Sequence, residues 1–93
     1  MPYIITRINI GDRDFDAWKL SFDRDIPRAR EAATGYRLLR NLQDPGEVFV
    51  QVEFATTEEA QIAGDRLSTS GVLDRFSDKT GPTVVEEVAT FGR

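Results

Sequence analysis

The chain has 93 residues, a mass of 10.5 kDa, 40% hydrophobic and 30% charged residues, and a net charge of −4. That is the size and composition of one globular domain over residues 1–93, too acidic and too evenly charged to grip a phosphate backbone, so nucleic acid is not an expected partner. It has no cysteine and no histidine, which removes disulfides, thiolate ligands, the commonest general base and the usual zinc and haem ligand.

Residues 3–10 are β-branched and alternate, with Ile4, Thr6, Ile8 and Ile10 on one face and Tyr3, Ile5, Arg7 and Asn9 on the other. This predicts a strand. Gly11 and Asp12 end it, and Asp12 or Asp14 is placed to cap a helix. At about 100° per residue, Phe15, Trp18, Phe22, Ile26, Ala29 and Ala33 fall within an arc of roughly 80°. The spacing predicts a helix over 14–33 carrying a narrow aromatic stripe, with Leu20 on the opposite side. Pro27 falls inside it and removes an amide, so the helix should bend or break there. Such a bend either wraps the helix around a sheet or opens a pocket beneath it.

Thr34-Gly35 should stop that helix, and residues 36–42 alternate as a second strand. Asp44-Pro45-Gly46 has turn chemistry, with proline fixing φ and glycine free to take a positive φ. Residues 47–54 set Val48, Val50, Val52 and Phe54 against Glu47, Phe49, Gln51 and Glu53, the second strand of a hairpin. Thr56 and Glu59 have the spacing of a capping box before a second helix with Ala60, Ala63 and Leu67 on its apolar side. Gly64 weakens this helix and residues 68–71 end it. Residues 72–76 read as one more helical turn, Gly81-Pro82 as a break, and 83–91 as a last strand. In that strand Val84 and Val88 share one face, and Val85, Ala89 and Phe91 the other.

The order β-α-β-β-α-β is that of the ferredoxin-like α+β sandwich, with two helices on one face of a four-stranded antiparallel sheet. The other face would expose Ile5, Phe49 and either Val84/Val88 or Val85/Phe91 among polar groups, which points to a homodimer. No segment approaches 18 apolar residues and no leader pattern opens the chain, so the expected location is the cytoplasm, with no membrane partner.

The run DFDAWK with FD three residues on, the late proline, GYRLLRN, DPGEVFVQVEF and TTEEA together resemble the dimeric α+β-barrel superfamily. The likeness is to small bacterial proteins grouped with antibiotic-biosynthesis monooxygenases, and it spans nearly the whole chain. It implies two sheets packed into a barrel across a dimer, with a cleft between sheet and helices in each protomer. Some members oxidise phenolic or quinol substrates without a cofactor and others degrade haem. Relatives often carry a histidine in the first strand and another in the first helix, where this chain has Ile8 and Asp25.

Trp18 and Phe22 are then candidates to line a cleft for a small, flat aromatic ligand. Asp25, at the edge of the same stripe, is the candidate general base, with Tyr36 the other candidate catalytic group. Arg7, Asn9 and Arg40, with Arg37, come from neighbouring strands and are candidates to hold a phenolate or carboxylate. No metal cluster, phosphate loop or nucleophile motif is present. Two readings follow: a cofactor-independent monooxygenase-like enzyme, or a non-catalytic binding or interaction homodimer with the same fold.

Overall fold

The structure is a computed structural model and describes residues 1–25 and 28–92. Strand β1 (Pro2–Asn9) leads to helix α1 (Phe15–Arg24), strands β2 (Ala33–Arg40) and β3 (Glu47–Phe54), helix α2 (Thr57–Ser70), a 3-10 turn at Val72–Arg75, and strand β4 (Lys79–Glu86). The four strands form one antiparallel sheet in the order β2-β3-β1-β4. This is the ferredoxin-like β-α-β-β-α-β arrangement that the residue pattern predicts. No helix among the described residues is long and apolar enough to cross a membrane.

Period-2 alternation places the core. Ile4, Ile8, Ile10, Val48, Val50, Val52 and Phe54 turn one way and are buried against Ala60 and Ala63 of α2 and against Phe76. Phe54 and Val48 are wholly buried, and each such side chain stabilises the fold by about 1.5–3 kcal/mol. Residues opposite one another in an antiparallel pair share a face. Val84 stands opposite Ile4 and lies on the helix side, whereas Val85 stands opposite Tyr3 and lies on the outer side with Ile5 and Phe49.

Helix α1 is half the expected length. It starts where expected, with the Asp14 carboxylate accepting the Asp16 amide at 3.1 Å, and it ends at Arg24. Asp25 takes a left-handed conformation (φ 44°) and its N–H bonds the Phe22 carbonyl. Pro27 and Ile26 lie outside the described residues, so the expected bend at Pro27 does too. Chains disfavour helical geometry just before a proline, and here the helix has already stopped. Ala29 is buried from a turn, and Ala33, Thr34 and Gly35 open β2 rather than close a helix. No residue of α1 is fully buried. Phe15, Trp18 and Phe22 rest on the core while the body of the helix stands off from the sheet.

Two further boundaries differ from expectation. Leu42 is fully exposed beyond β2, and β4 begins four residues early and ends at Glu86, leaving Val88 and Phe91 exposed past the strand. Gly81-Pro82 sits inside β4 rather than breaking it. A β-carbon on Gly81 would lie 2.7 Å from the Ile5 carbonyl oxygen, so only glycine fits where the β1–β4 register shifts. The missing amide of Pro82 is tolerated because β4 is an edge strand. At the hairpin, Gly46 does not use a positive φ. Its requirement is space, since a β-carbon there would meet Asn9 Oδ1 at 2.9 Å.

Candidate functional site

Because α1 is short and stands off, the layer between helix and sheet is incompletely filled. A cavity of about 110 Å³ remains. Its floor is Ile4, Thr6 and Ile8 of β1 with Val50, Val52 and Phe54 of β3. Its roof is Trp18, Ser21 and Phe22 of α1. Asp25, Ala29 and Arg30 close the end where α1 stops, and Leu67, Leu73, Arg75 and Phe76 form the far wall. An apolar cavity of roughly 150 Å³ takes up benzene, so the space here is close to that of one aromatic ring.

An aromatic ladder runs along the roof. Phe15 and Trp18 are 5.6 Å apart between ring centroids, Trp18 and Phe22 5.4 Å, and Phe22 meets Tyr36 edge-on at 5.3 Å. These spacings are those of favourable tilted and edge pairs. The first three rings follow from i, i+3 and i+7 spacing on α1. Tyr36 reaches them from β2, where it faces the helix side opposite Val52.

Arg30 is held against this ladder. Its guanidinium carbon lies 3.7 Å from the Phe22 ring centroid and 5.4 Å from that of Tyr36. It donates to the Phe22 carbonyl oxygen, its Nε is 3.7 Å from Asp25 Oδ1, and its side chain is 15% exposed. Asp25 is committed to the backbone: one carboxylate oxygen accepts the Ala29 N–H at 3.1 Å and the other the Arg30 N–H at 2.9 Å. The aspartate thus builds the turn that carries Arg30 into the cavity wall.

The structure therefore brings Trp18, Phe22 and Asp25 to one cavity, whereas Tyr36 does not line it and touches only the Phe22 and Arg30 side of its wall. Other expected site residues go elsewhere. Arg7 and Asn9 lie on the opposite face of the sheet, because β1 alternates and the cavity takes Thr6 and Ile8. Arg7 is engaged by Glu47 at 2.6 Å and Asp78 at 2.9 Å, and Asn9 donates to Asp44 at 3.2 Å. The Arg7 guanidinium holds the Asp78 carboxyl below its ordinary value, while Asn41 and then Arg7 do the same for Glu47. Arg40 is on the helix side but covers Phe15 at 4.9 Å, beside an open polar depression lined by Asp12, Asp14 and Asp16. Arg37 stands opposite Gln51 on the outer face.

Arg30, Thr6 and Ser21 are cavity residues absent from the sequence-derived set. Thr6 and Ser21 are small polar residues in apolar neighbourhoods and give no signal of their own. Arg30 was hidden by the assumed helix: eight residues past Phe22, a continuous helix would turn it about 80° off the stripe. The sequence does contain the sign that the helix stops, in Pro27 and the restriction it places on the residue before it. Among the described residues no group of three or more acidic, histidine or cysteine side chains is placed to hold a metal ion.

No family model matches the sequence, and no curated protein does. Solved structures do match over essentially the full length. A candidate antibiotic biosynthesis monooxygenase from Deinococcus radiodurans is 10% identical with a TM-score of 0.70, over 100% of this chain and 98% of that one. Another from Nitrosomonas europaea is 11% identical with a TM-score of 0.67, over 96% and 100%. A variant of MhuD, crystallised with two manganese protoporphyrin IX molecules per active site, is 18% identical with a TM-score of 0.61, over 100% of both chains. The chain thus has the ferredoxin-like fold of the antibiotic-biosynthesis-monooxygenase-like proteins.

Proposed function

We propose that this chain is a monooxygenase-like homodimer that binds a small phenol or quinol in the cavity beneath α1 and oxidises it with molecular oxygen, the substrate itself supplying the electrons. The observation that carries the reading is the cavity roofed by Trp18 and Phe22, apolar on most sides and close in volume to one ring. Loss of the phenolic proton gives an electron-rich anion that reduces oxygen. One oxygen atom ends on a ring carbon and the other leaves as water, so a quinol and O2 give a hydroxyquinone and H2O. The protein excludes water, orients the ring and stabilises the anion.

A second reading, binding without catalysis, draws on Asp25. Both its carboxylate oxygens accept backbone N–H groups, so the side chain already serves the turn that follows α1. Oxygen uptake with a panel of hydroquinones decides between the two. A rate above the protein-free blank supports the enzyme; binding with no rate above the blank supports the second reading. Trp18 fluorescence reports binding in either case.

Protoporphyrin, bound by one structural relative, does not suit this cavity. Axial iron ligands in haem proteins are histidine, cysteine, methionine or tyrosine, and none of these lines it.

The dimer reading draws on the outer sheet face, where Ile5, Phe49 and Val85 are half-buried and Leu39 is exposed. The chain's surface of 6337 Å² exceeds the roughly 5,400 Å² expected for a monomer of this mass.

A further inference from the structure

The cavity wall is electrostatically unlike the rest of the molecule. The chain carries a net charge of −4, yet the charged groups lining the cavity are Arg30, Arg75 and Asp25, two cations to one anion. The anion is already bonded by two backbone amides. Arg30 is different. Its side chain is 15% exposed, its nearest carboxylate oxygen is 3.7 Å from Nε, beyond hydrogen-bond reach, and two aromatic faces cover it. Among the described residues its guanidinium makes one hydrogen bond, to the Phe22 carbonyl oxygen. A guanidinium has five N–H donors. A poorly hydrated cation with donors to spare beside an apolar ring-sized space is a site for an anionic oxygen.

We infer that Arg30 is the ligand-ionising residue of the cavity: it binds the aromatic ligand as its oxyanion, phenolate or carboxylate, in preference to the neutral form. The inference rests on the cavity being the ligand site. A fixed positive charge a few ångströms from an acidic oxygen lowers that oxygen's pKa, so the bound phenol ionises with its proton passing to solvent. This supplies the electron-rich anion without a protein base and gives Asp25 a supporting task, holding the turn that positions Arg30. The Phe22 ring matters because its face keeps water off the cation while leaving it charged.

The test uses 4-nitrophenol, which ionises near neutral pH and colours when it does, and 4-nitroanisole, a neutral analogue of nearly the same shape. Equilibrium dialysis against the full chain above the free ligand's pKa should retain the phenolate about tenfold more tightly than the anisole. The absorbance titration of bound nitrophenol should be displaced downward by about one pH unit, the same tenfold seen from the proton's side. Arg30→Gln should bring phenolate binding to the anisole level and leave anisole binding unchanged, and Arg30→Lys should restore part of the preference. Equal binding of the two probes to the wild-type chain, or equal loss of both in Arg30→Gln, overturns the inference while the cavity remains a ligand site. Retention of neither probe overturns both. If Arg30→Gln does not fold by circular dichroism, the wild-type preference between probes and its partial retention in Arg30→Lys decide the matter, and equal binding of the two probes by folded Arg30→Lys counts against it.

Discussion

The guanidinium carbon of Arg30 lies 3.7 Å from the ring centroid of Phe22, and the same guanidinium bonds the Phe22 backbone carbonyl. One side chain thus ties the last turn of α1 to the segment leading into β2, through both the ring and the main chain of a single residue. Phe22→Leu keeps most of the apolar volume and removes the π face. A partly buried cation–π contact contributes about 0.5–2 kcal/mol, and the Trp18 and Tyr36 ring pairs add to it. Urea denaturation should show Phe22→Leu less stable by about 1–2 kcal/mol. Phe15→Leu, whose ring meets Trp18 and the exposed Arg40, should lose less. Equal losses in the two variants would show that the Arg30 contact adds nothing.

Asp25 separates a base from a brace. Asparagine tolerates the left-handed backbone and keeps one acceptor oxygen, so Asp25→Asn should give up one of two amide contacts, about 1 kcal/mol. Removing a general base costs about 10²–10⁴-fold in rate. With Asp25 as a brace, oxygen uptake by Asp25→Asn should fall by less than about tenfold, roughly in step with its stability. A loss beyond 10²-fold in a stably folded variant would reinstate Asp25 as the base.

These two residues also show what could be read from the sequence. The stripe Phe15, Trp18, Phe22 was legible because one period generates it. So were β3, whose alternation is uninterrupted, and the Thr56 cap, where the hydroxyl accepts the Glu59 N–H at 3.1 Å. The end of α1 was not, because Ala29 and Ala33 happen to continue the helical phase although a turn and a strand carry them. Phase alone cannot tell a helix from a coincidence of two alanines. Arg30 disappeared with that error, since its place depends on the turn Asp25 makes. The face assignment of Arg7 and Asn9 could be read from alternation; which face holds the cavity could not, because that depends on where α1 stands off.

Acid should act first on the outer face. Arg7 bridges Glu47 and Asp78, and both carboxyls are held below their ordinary values in the folded chain. A carboxyl whose folded pKa is depressed adds stability above its unfolded pKa, and that stability is lost as pH falls through the folded value. The contribution is therefore intact at pH 6 and fades below about pH 4. Arg7→Gln should have a lower Tm than the wild type at pH 6, with the gap narrowing on acidification. A gap that stays constant from pH 6 to pH 2 would rule out the ion pairs as its source.

The same face carries the proposed dimer, and Phe49 lies in its middle, opposite Arg7 on one side and Leu39 on the other. A two-fold interface repeats every change in both copies. Phe49→Glu therefore places two new carboxylates in the interface, each next to Glu47 of its own strand and opposite an Arg7 already held by Glu47 and Asp78. Unpaired charge at an interface core costs several kcal/mol, enough to dissociate a micromolar dimer. Light scattering should give twice 10.5 kDa for the wild type and 10.5 kDa for Phe49→Glu, with far-UV dichroism unchanged. Leu20→Glu, on the solvent side of α1 and 66% exposed, should leave the mass as it was. A wild-type mass of 10.5 kDa at micromolar concentration would remove the dimer, and the half-buried Ile5, Phe49 and Val85 would then be an apolar face open to water.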